Sequence, residues 1–276
     1  MERCAMIRSA VTISLVEQAR RGPFVFHDDL ADGARQAAEL GFDAIEVFAP
    51  SAECIRELPL AELLRTHGLG LAAVGTGAGM VIHGLNLCDP NPENRQAAER
   101  FIAGIIDAGS DYGAPAIIGS MQGRWSETVP QPEALKRLGE ALDRLGEHAA
   151  SRGTVLIYEP LNRYETNLCT TMKEGAELLE SLSTNSVRLL ADLFHMNIEE
   201  RSIADGLRDA GRHLGHVHFV DSNRQAAGFG HMDYAPIAEA LRVVEFDGYA
   251  SAEAFPTPDS ATAAQQTITS FRAVFG

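Results

Sequence analysis

Short apolar runs alternate with longer amphipathic stretches along almost the whole chain. Eight runs read as strands: Met6–Ile13, Asp43–Phe48, Gly70–Gly75, Ala116–Ser120, Val155–Glu159, Val187–Asp192, His216–Val220 and Tyr249–Ala254. They are nearly continuous in Val, Ile, Leu and Ala, the pattern of strands covered on both faces. After each run the apolar spacing lengthens toward the 3.6 period of a helix. Asn91-Pro92-Glu93 supplies a capping side chain, a proline in the first turn and an early acid. Ala97, Phe101, Ile105 and Ala108 then mark one buried stripe, and Leu135, Leu138, Leu142, Leu145 and Ala149 mark another. Weaker helical spacing covers Leu30–Leu40, Pro59–His67, Met172–Leu182, Ile203–His213, Tyr234–Val244 and Ala261–Val274.

Eight strand–helix units in 276 residues, about 35 residues each, are what a closed (β/α)8 barrel requires. The expected fold is therefore α/β, a single-domain TIM barrel over residues 1–276. The rival is a doubly wound open sheet, which usually carries a glycine-rich phosphate loop after its first strand. The corresponding stretch here, Ser14–Asp28, has none. Gly75-Thr76-Gly77-Ala78-Gly79 follows the third strand instead, and reads as a flexible loop with no helix close behind it.

Charge narrows the partners. With 38 acidic and 23 basic residues the chain carries −15, so phosphate backbones and anionic membrane surfaces repel it. Neither nucleic acid nor membrane is expected as a partner. No apolar run approaches the roughly 18 residues of a membrane span, and Arg8 interrupts the stretch Ala5–Val16, which reads as a strand rather than a leader. Cys4, Cys54, Cys88 and Cys169 are widely spaced and form no CxxC pair. Reduced thiols in a cytoplasmic protein are the simplest reading.

In a barrel, the C-terminal strand ends converge on one mouth. In the second half those ends offer Glu159, Asp192, His218 and Glu253, spaced 33, 26 and 35 residues apart, about one unit each time. Any one of them alone is an ordinary polar residue closing a strand. As a set, three carboxylates in a dry mouth repel one another into protonation unless a strong positive charge joins them. A divalent cation meets that need, and three carboxylates with one imidazole suit Mn²⁺ or Mg²⁺, with Co²⁺, Fe²⁺ and Zn²⁺ compatible. Glu165, His195 and Arg224 stand in loops just beyond, where polar side chains can hold hydroxyls or a carboxylate. His216, two residues before His218, is either a second mouth residue or a core histidine, and we read it as core.

The segment Glu159–Glu165, the step from Asp192 to His195, the run His218 to Arg224 and the late Glu253-Ala254-Phe255 resemble the xylose-isomerase-like TIM-barrel superfamily. Within it the chain is most similar to ketose 3-epimerases of the D-tagatose and D-psicose type. Ala73–Gly77, Gly84–Arg95, Ile117–Gly119 and Gly123-Arg124 resemble the branch of 5-keto-L-gluconate epimerases, which act on sugar acids. The resemblance implies that Glu159, Asp192, His218 and Glu253 hold the metal, and that Glu165, His195 and Arg224 bind substrate. It also implies a homo-oligomer, a dimer or tetramer. Glu46, His83, Gln122, Arg124 and Trp125 receive no role from it, and for Trp125 packing and sugar stacking both stay open.

The implied chemistry is epimerisation of a ketose or keto-sugar acid by proton transfer beside the carbonyl, through a cis-enediolate. A base on each side of the carbon lets the proton leave one face and return to the other, and Glu159 and Glu253 are the expected pair. Aldose–ketose isomerisation and inosose-type dehydration begin with the same step. A multi-metal endonuclease of this fold needs more mouth histidines than the chain offers, having nine in all. A barrel without activity is hard to reconcile with seven matching polar positions.

Overall fold

Eight parallel strands close on themselves in the computed structural model, which describes residues 6–276. They are β1 (Arg8–Ser14), β2 (Ala44–Phe48), β3 (Gly70–Gly75), β4 (Ala116–Ile118), β5 (Leu156–Tyr158), β6 (Val187–Asp192), β7 (Leu214–His218) and β8 (Tyr249–Ala252). Each pairs with its successor, and β8 returns to β1 through the register Arg8↔Tyr249 to Val11↔Ala252. A two-residue strand, Phe26–His27, also pairs with the end of β1. Around the barrel run α1 (Leu30–Leu40), α2 (Ala52–Glu57), α3 (Leu60–His67), α4 (Ala78–His83), α5 (Pro92–Ser110) and α6 (Gln131–Ser151). They are followed by α7 (Met172–Glu180), α8 (Leu193–Glu199), α9 (Ile203–Ala210), α10 (Tyr234–Val243) and α11 (Ser260–Phe275). The expected single-domain (β/α)8 barrel is the observed one.

Strand alternation sorts side chains into two cores. Outward residues such as Val11, Ile45, Leu156, Tyr158, Leu189 and Val217 pack with the helices into one large apolar layer. Inward residues stack in rings. Ala10, Ala44 and Ala72 form a small cluster against Tyr249, and Ala73, Ile117, Ile157 and Leu190 form a separate apolar plug. Toward the C-terminal end the inward positions turn polar, with Thr12, Glu46, His216, His218, Asp192 and Glu159 all buried. An apolar plug beneath a polar mouth is the arrangement that places chemistry at one end of this fold.

The structure corrects three local expectations. The seventh strand runs Leu214–His218 rather than His216–Val220, so His218 ends it. The first long helix buries Ile105 and Ala108 of the expected stripe together with Ala98, Ile102 and Ile106, while Ala97 and Phe101 only half-bury. Residues 75–79 are not a flexible loop, since α4 begins at Ala78. There Gly79 serves packing: a Cβ at this position meets the Met121 sulfur at 2.6 Å and Phe101 at 3.0 Å.

The second long helix behaves as its spacing predicts, with Leu138, Leu142, Leu145 and Ala149 buried. Leu142→Ala is expected to lower stability by about 2–5 kcal/mol through lost contact and a residual cavity. Urea unfolding of the two proteins measures it.

Candidate active site

Three of the four strand-end residues come together at once. The ligand atoms of Glu159, Asp192 and His218 all lie within 4.8 Å of one another, and all three residues are buried. Glu159 follows β5 and is held by its backbone, whose N–H donates to Ile118 O at 3.0 Å while its carbonyl accepts from Gln122 Nε2 at 3.0 Å. Its side chain needs the absence of a neighbour: a Cβ on Gly119 comes within 2.6 Å of Glu159 Oε2. Asp192 closes β6 and caps α8, with Oδ1 accepting from the N–H groups of Phe194 (2.8 Å) and His195 (3.2 Å). That leaves Oδ2 facing His218 Nδ1 at 3.1 Å.

Glu253, just past β8, stands to one side of this triad. Its Oε2 is 3.7 Å from His218 Nδ1 and accepts from Arg224 Nη2 at 2.7 Å. Arg224 also donates to Glu165 Oε1 at 3.2 Å and lies over the Phe194 ring, 5.0 Å from its centroid. Asn162 completes the constellation. Its backbone N–H donates to His195 Nδ1 at 3.3 Å and its amide donates to Glu165 Oε1 at 3.0 Å. With Nδ1 accepting, the proton of neutral His195 sits on Nε2. That N–H has no partner, and it lies 3.7 Å from Glu159 Oε1, itself buried and unpartnered.

The electrostatics follow from burial and crowding. Burial raises the Glu159 carboxyl well above the usual carboxylate range, with Glu253 and Asp192 adding to the rise against the pull of His218. Burial also opposes charge on Asp192, yet His195, the His218 hydrogen bond and Arg224 hold it well below that range. At His218, burial disfavours the cation, but Glu253, Glu46 and Asp192 outweigh it and raise its pKa well above the ordinary imidazole value. Burial depresses the His195 pKa below the ordinary imidazole value, against the influence of Asp192. The site is thus a crowd of buried acids around the His218 imidazole, whose charges set one another's proton affinities.

All seven expected residues gather at one mouth. It opens into a cavity of about 360 Å³, walled by the triad residues Glu159 and His218, by Glu253, Glu165 and Arg224, and by the stacked rings of Phe24 and Phe48. That volume suits a small molecule. Trp125 does not line this cavity. It is exposed on a neighbouring loop, with its backbone N–H donating to Asn167 Oδ1 at 2.8 Å, and Arg124 binds the Tyr164 carbonyl beside it. His83 ends α4 outside the cavity wall. His216 is buried as expected, and its Nε2 contacts Glu46 Oε2 at 2.8 Å.

Sequence reasoning missed Glu46 and Asn162, whose roles depend on partners elsewhere in the barrel. It also missed Asp221, whose buried carboxylate shapes the loop that carries Arg224. Asp221 Oδ1 accepts from Ser222 N (2.7 Å) and Met232 N (3.2 Å), and Oδ2 accepts from Gly228 N (2.8 Å) and Tyr234 Oη (3.1 Å). The backbone N–H of Arg224 in turn donates to the Asp221 carbonyl, and Arg224 sits at φ 60°, a strained value for a long side chain. Burial opposes charge on Asp221, but the N–H groups of Gly228, Ser222 and Met232 hold its pKa below the ordinary carboxyl value. Such a group stabilises the fold above its unfolded pKa of about 4, and the effect fades as pH falls through the lowered native value. Asp221→Asn is expected to cost about 1–3 kcal/mol near neutrality. In urea unfolding from pH 7 to pH 3 the gap to the parent protein should shrink at the acid end.

With this geometry established, the relatives are informative. The family pattern of the xylose isomerase-like TIM barrel matches residues 34–274. A D-psicose 3-epimerase of Ruminiclostridium cellulolyticum is 30% identical over 226 residues, covering 80% of this chain and 76% of that protein. A 3-dehydro-D-guloside 4-epimerase of Escherichia coli is 29% identical, covering 81% of this chain and 86% of that protein. The crystal structure of D-psicose 3-epimerase with D-tagatose from Clostridium cellulolyticum superposes with a TM-score of 0.80 over 98% of this chain and 99% of that one, at 24% identity, a likeness of fold. The chain belongs to the xylose isomerase-like TIM barrel family, as an enzyme of the isomerase and epimerase kind.

Proposed function

We propose that the protein is a divalent-metal-dependent epimerase of a ketose or keto-sugar acid, working by proton transfer at the carbon beside the carbonyl. The observation that carries this reading is the unpartnered, buried Glu159 Oε1, set among Asp192, His218 and His195. A buried carboxylate oxygen without a partner is unfavourable unless a ligand supplies one. Glu159, Asp192, His218 and Glu253 would hold the cation, and an oxygen-rich donor set favours Mn²⁺ or Mg²⁺ over Co²⁺, Fe²⁺ or Zn²⁺. When bound, such a cation supplies charge stabilisation for oxygens that become negative during proton removal.

The protein's own groups do the rest. Glu159 follows β5 and Glu253 follows β8, so the two carboxylates reach the mouth from strands that are not neighbours. One removes the proton from one face of the substrate carbon and the other returns a proton to the opposite face. The His195 Nε2–H is free to donate to a substrate oxygen. Arg224, tied to Glu253 and Glu165, orients the base and can meet a carboxylate on a sugar acid. The relatives' names, D-psicose 3-epimerase and 3-dehydro-D-guloside 4-epimerase, support keto sugars as the substrate class. Free thiols at Cys54, Cys88 and Cys169 suit a reducing, cytoplasmic setting (Cys4 lies outside the described residues), and a homo-oligomer is part of the same reading.

Isotope exchange tests the proposal. The protein loaded with Mn²⁺ is incubated in D₂O with free ketoses, keto-uronates and ketose phosphates, and NMR follows deuterium entry and products. Deuterium beside the carbonyl with an epimer appearing is the expected result. Glu159→Gln and Glu253→Gln should each lower epimerisation by about 10²–10⁴-fold. Deuterium at C1 with an aldose product would mean isomerisation, and loss of water would mean dehydration. Absence of exchange with every sugar, with or without metal, would end the proposal.

A further inference from the structure

Beside the triad, and sharing His218 with it, lies a second buried set whose other members, Glu46 and His216, have no part in the proposed reaction. Glu46, at the middle of β2, points into the barrel and reaches β7 on the far side. Its Oε2 is 2.8 Å from His216 Nε2 and its Oε1 is 3.3 Å from His218 Nε2. All three residues are buried, and the two imidazole rings stand nearly perpendicular, at 85°, with centroids 5.6 Å apart. β2 and β7 are not neighbours in the sheet, so the bridge crosses the barrel interior. The alanines Ala10, Ala44 and Ala73 on the flanking inward positions leave room for it.

These three residues have donor atoms close enough together to suggest a second cation site. The hydrogen bonding argues otherwise. Both oxygens of Glu46 already face a ring nitrogen, whereas in the triad Glu159 Oε1 has no partner. The triad has an unfilled demand for a ligand, and the Glu46 set is satisfied by its own members.

Satisfied in this way, the bridge has a consequence for His218. A carboxylate accepts hydrogen bonds and cannot donate them, so Glu46 draws the ring proton of His218 to Nε2. Nδ1 faces carboxylates too, Asp192 at 3.1 Å and Glu159 and Glu253 at 3.7 Å each, and an ion set among them would take the place of any proton Nδ1 shares with them, leaving Nδ1 bare toward the ion while Glu46 keeps its hold on Nε2. A metal-ligating imidazole needs this arrangement, one nitrogen bare toward the ion and the other anchored to an acceptor. We infer that Glu46 is a positioning residue: braced by His216, it sets the tautomer and ring orientation that make His218 Nδ1 a metal ligand. The inference rests on the metal reading of the triad and goes beyond it, because it assigns a function to Glu46, which lines the same cavity but is not among the four residues proposed to hold the ion.

The test reads metal binding and tautomer without turnover. Mn²⁺ is titrated into the metal-stripped protein, and the free aquo ion is followed by its EPR signal. Glu46→Gln nearly preserves shape, but one of the two oxygens that face the imidazoles becomes an NH2 donor, which cannot accept a ring N–H. It should weaken Mn²⁺ binding about 10–100-fold, the usual effect of losing such an anchor, with circular dichroism unchanged. In the parent protein loaded with diamagnetic Mg²⁺, long-range ¹H–¹⁵N NMR should find the His218 proton on Nε2. That measurement needs no variant, so the inference stays testable if Glu46→Gln folds poorly. Tight Mn²⁺ binding by the parent with equal affinity in Glu46→Gln, or a His218 proton on Nδ1, overturns the inference and leaves the metal reading standing. Failure of the parent to bind Mn²⁺ overturns both.

Discussion

Four carboxylates, those of Glu46, Glu159, Asp192 and Glu253, surround the single imidazole of His218 where the barrel interior meets its mouth. Removing that much negative charge from water is unfavourable unless each group finds a partner. Much of the local architecture follows from this constraint. Arg224 is drawn in from its loop to Glu253, Asn162 holds His195 and Glu165, and Glu46 shares its two oxygens between histidines. Three buried polar groups of the mouth stay unmatched, Glu159 Oε1, His195 Nε2 and Arg224 Nε, and the proposed function gives them their partners.

The division of labour between strands and loops has the same origin. The groups that must hold a fixed mutual geometry end strands or follow them directly, where ladder bonds limit backbone movement. Asp192 combines both duties, since one oxygen caps α8 and the other faces the site. The groups proposed to meet a substrate, Glu165 and Arg224, sit in loops that need their own internal scaffolds. For Arg224 the scaffold is the Asp221 carboxylate, which gathers donors from residues 222 to 234 and holds the arginine at an otherwise unfavourable backbone angle.

Packing beneath the site is matched to it. The barrel is plugged by Ala73, Ile117, Ile157 and Leu190, while alanines on the first three strands leave space for the cross-barrel bridge. Gly119 has no side chain, and any Cβ there would intrude on Glu159. These small residues look unremarkable in a strand, and their value appears only beside what they make room for.

Much of this was legible in the chain itself. Apolar periodicity depends on neighbours within one or two turns, so it determined the eight units and the long helices. Because each unit contributes one strand end to a common mouth, the recurrence of Glu159, Asp192, His218 and Glu253 at about one-unit intervals was enough to bring them together on paper. The tertiary structure alone decided the rest. His216 read as a core histidine and Glu46 as a residue without a role, because their contact joins positions 170 residues apart on strands that are not adjacent. Gly79 read as loop because the demand on it comes from Met121 and Phe101. Local spacing encodes which way a side chain faces, whereas the partner it meets across a closed barrel depends on strand register and closure, which no short stretch of sequence contains.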